Sequence, residues 1–408
     1  MIATLAARAL TQPLAQAADR MVGPRGCLLT FHRAASLELW ERLPNRDFYL
    51  DIEFIDRFLA HLVAQKWDVV TIGEALRRSA SANDNSRYVN FSVDDCYRDT
   101  FELVAPVFRR HNVPLTLFVT TGIPDGTASI WPIGLEYTLL EREQVLADGE
   151  VIKSSTPEER RAAYQRIAAK WDGPDAAGHY AAFCAENRVD MNAMHWTHAI
   201  TWEMLETLVK DPLIEIGAHT VTHPRISSLA PDAALAELEG ARVRLNERLG
   251  INVEHFAFPY GRSADCGPRD FALAREAGFL SAATTRKGLV RGGQDHFSLP
   301  RNTINGGHRS VAHGIPGHDL NPGAAAMIRI AARCAADAQR SRAANSAANR
   351  KGWRKAAGVE PTRERLTPPT GFEARPHHRM RMPSPAARKQ IAECDCRSVC
   401  VLAGKSTG

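Results

Sequence analysis

Two fragments more than a hundred residues apart carry side chains that could do chemistry together: Asp94-Asp95, ending one strand-like run, and His219 with His223, directly after another. Two carboxylates and two imidazoles suit a hydrolytic metal centre. One group would act as base while the other three hold a divalent cation that polarises a carbonyl and its attacking water. Each fragment also has an ordinary reading. With 15 histidines in 408 residues, chance supplies roughly half of one His-x-x-x-His pair, and adjacent acids after a strand often cap a helix or sit in a turn. Context favours the site. Ile214 to Ala218 reads as a strand ending in small residues, so both imidazoles emerge in a turn or short helix, where four residues bring two side chains to one face. Pro224 disfavours a helical His223 and ends that turn. Tyr88 to Val93 is too apolar for a surface edge, so the acids stand where a buried strand opens into a cleft. Consecutive residues there point in different directions, one to a metal and its neighbour to the substrate as general base. A third fragment, Phe256-Ala257-Phe258-Pro259-Tyr260-Gly261, is a strand ending in a Pro-Tyr-Gly turn. It is either an ordinary turn or one that aims a backbone N–H at a developing oxyanion.

The elements that must position these groups follow from periodicity. Short apolar runs rich in β-branched and aromatic residues recur at Cys27 to Phe31, Trp67 to Ile72, Tyr88 to Val93, Leu115 to Thr121, Ile214 to Ala218, His255 to Tyr260 and Ser281 to Thr285. Helical patterns separate most of them, Ile52 to Ala64 and Pro231 to Leu249 being the clearest. Alternating strand and helix predicts an α/β parallel sheet or barrel, with active groups at the carboxyl ends of strands. Asp94-Asp95 and His219 fall at such ends. From about 123 to 200 the rhythm breaks into two Trp-containing segments, around Trp131 and Trp171, and a charged helical run from Pro157 to Lys170. That stretch reads as an inserted helical segment or lid. Residues 1 to 25 read as a leading helix, residues 26 to 320 as the catalytic domain, and residues 321 to 408 as a basic low-complexity tail expected to be disordered.

Composition fits a globular chain with 44% hydrophobic residues. No apolar run is long enough for a spanning helix and no signal peptide is evident, so a cytoplasmic location is expected, with peripheral membrane association left open. Eight scattered cysteines predict free thiols rather than a disulfide framework. The net charge of +5 hides an asymmetry: residues 326 to 408 hold 17 Lys+Arg against 6 Asp+Glu (+11), and residues 1 to 325 hold 34 against 40 (−6). The folded body is therefore not expected to bind nucleic acid, and any such reading rests on the tail alone. Within the tail, three thiols at Cys394, Cys396 and Cys400 lack a fourth ligand, and residues 361 to 385 resemble an extension made when translation runs past a natural end.

Together the fragments resemble the polysaccharide deacetylase family with the NodB homology domain (carbohydrate esterase family 4, chitooligosaccharide deacetylase-like) over residues 27 to about 310. Asn90 to Asp99, NFSVDDCYRD, is similar to the family's first motif, TFDDGYRD; Gly217 to Pro224, GAHTVTHP, to its second; FAFPYG to its third. LTFHR at 29 to 33, VPLTLFVTTG at 113 to 122 and AGFLSAATTRKG at 277 to 288, leading to SLPRNTING, match its general look. The resemblance implies a distorted (β/α) barrel of about seven strands, of the NodB or glycoside hydrolase/deacetylase type. It implies removal of N-acetyl groups from a glycan, with Asp94 as general base, Asp95, His219 and His223 as ligands to a divalent cation, zinc being expected, and the Tyr260 amide in the oxyanion hole. For the general acid, His32 is the first candidate, because some members use a His from an early strand resembling LTFHR; His308 is the second. The sequence departs from the family at three places. Cys96 replaces a glycine, with a cost of about 1–2 kcal/mol if the turn needs positive φ, and it would set a thiol beside the metal. Phe256-Ala257 stands where an Arg often orients the base, and an Asp-based fourth motif is not visible. A catalytically impaired glycan-binding chain, or a deacylase of another amide, remains an alternative. Oligomeric state is not legible.

Overall fold

The computed structural model describes residues 25–80, 87–173 and 175–305. The expected leading helix, short of its last residue, and the basic tail, with His308 and the Cys394 to Cys400 thiols, lie outside the described residues. Twelve strands follow in chain order: β1 Arg25–Phe31, β2 Arg33–Ala35, β3 Tyr49–Asp51, β4 Asp68–Val69, β5 Arg87–Asp95, β6 Leu115–Val119, β7 Gln144–Ala147, β8 Glu150–Lys153, β9 Ile214–Ala218, β10 His255–Ala257, β11 Ser281–Ala283 and β12 Asn302–Thr303. Seven of them form a parallel path, β11-β10-β9-β6-β5-β1-β12, with β4 added beside β5. The path curls into a barrel because the segment from Leu299 to Thr303 touches both of its edges. Leu299 bridges Ala283 of β11 in parallel, and Asn302 and Thr303 pair with Leu29 and Thr30 of β1.

The two-residue period of the strands decides what fills the barrel and what faces its helices. Leu29 and Phe31, Val89, Phe91 and Val93, Leu115 and Leu117, Ile216, Phe256 and Ala282 point outward into the main core. The alternate positions point inward: Thr30, Asn90, Ser92 and Asp94, Thr116 and Phe118, Gly217, Ala257 and Ala283. Phe118, with Leu28 and Tyr88, makes one part of the interior apolar, and the rest is small or polar; the site grows from the upper end. Two helices show why the outer layer forms. Ile52–Ala64 starts where the Asp51 carboxylate caps the Glu53 N–H and buries Phe54, Phe58 and Leu62 on one stripe. Pro231–Leu249 buries Ala234, Leu238, Ala241 and Leu245 and stops at Gly250, whose φ of 66° closes the helix. Fully burying each such Phe or Leu contributes about 1.5–3 kcal/mol.

Several expected strands are shorter in the structure. Asp68–Val69 alone extends in the Trp67 to Ile72 run, because the Thr71 hydroxyl accepts the Glu74 N–H and starts the helix Ile72–Ala80. The β10 strand ends at Ala257, since Pro259 has no N–H to donate and Tyr260 is left-handed at φ 61°. The region from 123 to 200 holds the helices Trp131–Glu141, Pro157–Trp171, Ala176–Asn187 and Met191–His198, and also a β7-β8 hairpin that its sequence did not announce. It has an apolar cluster of its own, built on Leu139, Val145, Ile167, Trp171 and Phe183. A buried polar chain ties it to the barrel mouth: Asp99 holds Arg33, Arg33 donates to the Tyr49 hydroxyl at 2.8 Å, and that hydroxyl donates to Glu136 at 2.5 Å.

Candidate active site

Asp94 continues the inward alternation of β5 and is buried inside the barrel; Asp95 would by the same rule turn outward. It does not, because its φ is 67° and that of Cys96 is 65°. The break in alternation is what lets two adjacent carboxylates face one cavity in different roles. Thr220, His223 and Tyr260 are also left-handed, at 67°, 63° and 61°. Each such non-glycine residue costs about 1–2 kcal/mol, and strain of this kind gathers where function over-determines the backbone.

The structure brings Asp95, His219 and His223 together, with one potential ligand atom from each within 4.8 Å of the others. His219 Nε2 lies 3.4 Å and His223 Nε2 3.1 Å from Asp95 Oδ1. His219 follows β9, and its Nδ1 donates to the Ala257 carbonyl at 2.7 Å, which turns the Nε2 lone pair toward Asp95. Of the turn or short helix expected there, the chain makes the turn, closed by the Thr220 hydroxyl accepting the His223 N–H at 2.9 Å. Asp95 Oδ1 is buried and no described group meets it in hydrogen-bond geometry. Burial would raise the Asp95 carboxyl, but the neighbouring imidazoles outweigh it and hold it well below the usual carboxylate range. A buried anionic oxygen that faces two ring nitrogens and lacks a donor is a seat for a cation. Two nitrogens and one oxygen are also the kind of three-residue donor set that catalytic divalent sites use. The residues present therefore fit a divalent cation.

Asp94 is held differently. Arg301, fully buried, grips it with both arms of the guanidinium: Nη1 to Oδ1 at 2.6 Å and Nη2 to Oδ2 at 2.7 Å. Nη1 also donates to the hydroxyls of Ser92 and Thr30, and Nε to the Thr284 carbonyl. Burial pushes the Asp94 carboxyl up, yet Arg301 prevails and holds it below the ordinary range, ionised near neutrality. Arg301 thus gives Asp94 a cationic partner although no Arg precedes the Pro-Tyr-Gly turn. Sequence reasoning missed it, since it lies 207 residues from Asp94 in a segment, SLPRNTING, noted only for its general look. Its one signal was a charged side chain next to Pro300 in a segment close to the last strand.

His32 stands between β1 and β2, stacked on Phe48 at 4.4 Å between ring centroids. Its burial lowers its pKa, and both Asp94 and Asp95 pull the other way, so the ring senses the two carboxylates. Tyr260 has a backbone N–H with no acceptor among the described residues. The residue is 39% exposed, and its ring centroid lies 5.1 Å from that of His223. The expectation that Cys96 sets a thiol beside the metal is corrected: Cys96 is buried, its sulfur turns back to the carbonyls of Val93 and Phe118, and burial keeps the thiol protonated, well above its ordinary value. It is not among the clustered ligands. The other described cysteines, Cys27, Cys184 and Cys266, are also free and buried. No described helix is long and apolar enough to cross a membrane.

Residues 175–279, which include both clustered histidines and the Pro-Tyr-Gly turn, match the family model described as polysaccharide deacetylase. No curated protein matches the chain. Among solved structures the chain is similar to the deacetylase PplD of Streptococcus pyogenes, in complex with acetate, at 16% identity and a TM-score of 0.46, covering 69% of this chain and 93% of that one. It is similar to IcaB from Ammonifex degensii at 16% and 0.45, over 70% and 94% of the two chains. The BpsB deacetylase domain from Bordetella bronchiseptica shares 12% at 0.41, over 69% and 96%. The segment that matches the polysaccharide deacetylase model thus carries the two histidines that meet Asp95, from the first motif-like fragment, in one cluster.

Proposed function

We propose that this chain hydrolyses the N-acetyl groups of an N-acetylglucosamine-containing oligo- or polysaccharide, such as a chitooligosaccharide or a surface polysaccharide. Acetate is released, and zinc is held by Asp95, His219 and His223. The observation that carries the reading is the buried, donorless Asp95 Oδ1 between two imidazoles, beside a second carboxylate locked by Arg301. When bound, the cation supplies Lewis acidity toward the acetamide carbonyl and lowers the pKa of the attacking water.

The chain's own residues supply the rest. Arg301 engages one lone pair on each Asp94 oxygen, which leaves the others free to accept the water proton. As the water oxygen bonds to the carbonyl carbon, charge builds on the carbonyl oxygen, and the unpaired Tyr260 N–H is available to donate to it. The C–N bond then breaks, and the nitrogen needs the proton that left the water. His32, which burial keeps neutral while both carboxylates pull it toward the protonated form, is the residue proposed to take that proton over from Asp94 and deliver it to the nitrogen. Dialysis against a strong chelator should abolish acetate release from N-acetylglucosamine oligomers, and one equivalent of zinc should restore it. Undiminished release by metal-free protein would refute the reading.

A further inference from the structure

Two of the left-handed residues, His223 and Tyr260, lie on separate loops whose strain must be balanced by something fixed. One side chain reaches both loops. Asp265, buried, accepts the Arg262 N–H through Oδ2 at 3.0 Å, two residues beyond Tyr260, and the Arg225 guanidinium through Oδ1 at 2.6 Å, two residues beyond His223. Its own carbonyl accepts the Ser227 N–H at 3.1 Å, tying the two loops a third time. The Arg225 guanidinium lies over the Tyr260 ring, 4.0 Å from its centroid, and the His223 ring lies 5.1 Å from that same ring at a 55° tilt. The outer arm of Arg225 reaches Asp172 at 2.8 Å, just past the helix Pro157–Trp171 of the inserted region.

We infer that Arg225 and Asp265 are a positioning pair: they hold His223 in its ligand orientation and the Tyr260 N–H in its oxyanion orientation as one unit. The inference rests on the metal-dependent deacetylation proposed above. Neither residue touches the reacting atoms. A planar, forked cation is needed because one group must pair with Asp265, stack on Tyr260 and reach the inserted region at once; lysine can do only the first. The pair with Asp172 is exposed at its acidic end and contributes little by itself.

The test uses the full-length zinc protein and the variants Arg225→Gln, Arg225→Lys, Asp265→Asn and Asp172→Asn. Zinc affinity is read by competition with a chromophoric chelator, and kcat and KM by acetate release. Arg225→Gln and Asp265→Asn should each weaken zinc binding and lower kcat by about 10- to 100-fold with KM nearly unchanged. Arg225→Lys should recover part of the zinc affinity, and Asp172→Asn should stay within about twofold of wild type. Arg225 is 35% exposed in its side chain, so its variants remain decisive if Asp265→Asn does not fold. Wild-type kcat and zinc affinity in Arg225→Gln would overturn the pair, as would a change in KM alone. A wild-type protein that neither binds zinc nor releases acetate would instead sink the functional reading, and the pair's role with it.

Discussion

Replacing Arg301 with Met keeps the volume of the side chain and removes its charge, leaving Asp94, 2% exposed, without its bidentate partner. Breaking a buried ion pair from one side costs about 3–5 kcal/mol, because the partner is stranded. The Ser92 and Thr30 hydroxyls and the Thr284 carbonyl lose a shared donor as well, which adds on the order of 1 kcal/mol for each buried group left unpaired. Against a total stability of about 5–15 kcal/mol the loss is large. Its pH dependence identifies its source. In the native protein the Asp94 pKa is depressed, so the pair's contribution is present above the unfolded carboxylate value and is lost as pH falls through the folded one. In Arg301→Met burial works against the pull of His219 and His32 alone, the Asp94 pKa rises, and protonation relieves the stranded charge. Urea unfolding should therefore show a gap to wild type of several kcal/mol at pH 7 that narrows at pH 5, and adding Asp94→Asn to Arg301→Met should restore stability at pH 7. A gap below about 1 kcal/mol at pH 7, or one that does not change with pH, would refute the reasoning.

Glu136 offers a second pH signature. Burial raises its carboxyl to about 7, against the opposing pull of Tyr49 and Arg33. Stability from its bound proton is fully present below its unfolded value of 4.5 and is lost as pH rises through about 7. Compared with Glu136→Gln, wild type should thus lose up to roughly 3 kcal/mol more between pH 4.5 and pH 8. Parallel stability curves for the two proteins would contradict this. Cys96, buried with its thiol held protonated, should resist alkylation at pH 8 in peptide-resolved mass spectrometry until denaturant is added. Cys96→Ala should keep zinc affinity within about twofold, and a tenfold loss would make the thiol a ligand after all.

Much of this architecture is legible in the chain because the inward and outward faces of the strands alternate with period two: Val89, Phe91 and Val93 announce a buried strand, and the acids follow at its end. Helices bounded by local chemistry are equally readable, as the caps of Ile52–Ala64 and Pro231–Leu249 show. What escapes is anything set by tertiary closure. Arg301 enters the barrel only because the segment from Leu299 to Thr303 seals both sheet edges, and no local pattern pairs it with Asp94. The left-handed turns at Asp95, Thr220 and Tyr260 escape for the opposite reason. They oppose local preference and are held by contacts such as the Thr285 hydroxyl bond to the Tyr260 carbonyl, at 2.6 Å.

The division of labour between the adjacent carboxylates is the centre of the account, and it is tested most directly by comparing zinc content and acetate release in wild type and Asp94→Asn. Both proteins should bind one equivalent of zinc through Asp95, His219 and His223, while acetate release from N-acetylglucosamine oligomers by Asp94→Asn should fall at least about 100-fold. Equal release by the two proteins would contradict the account.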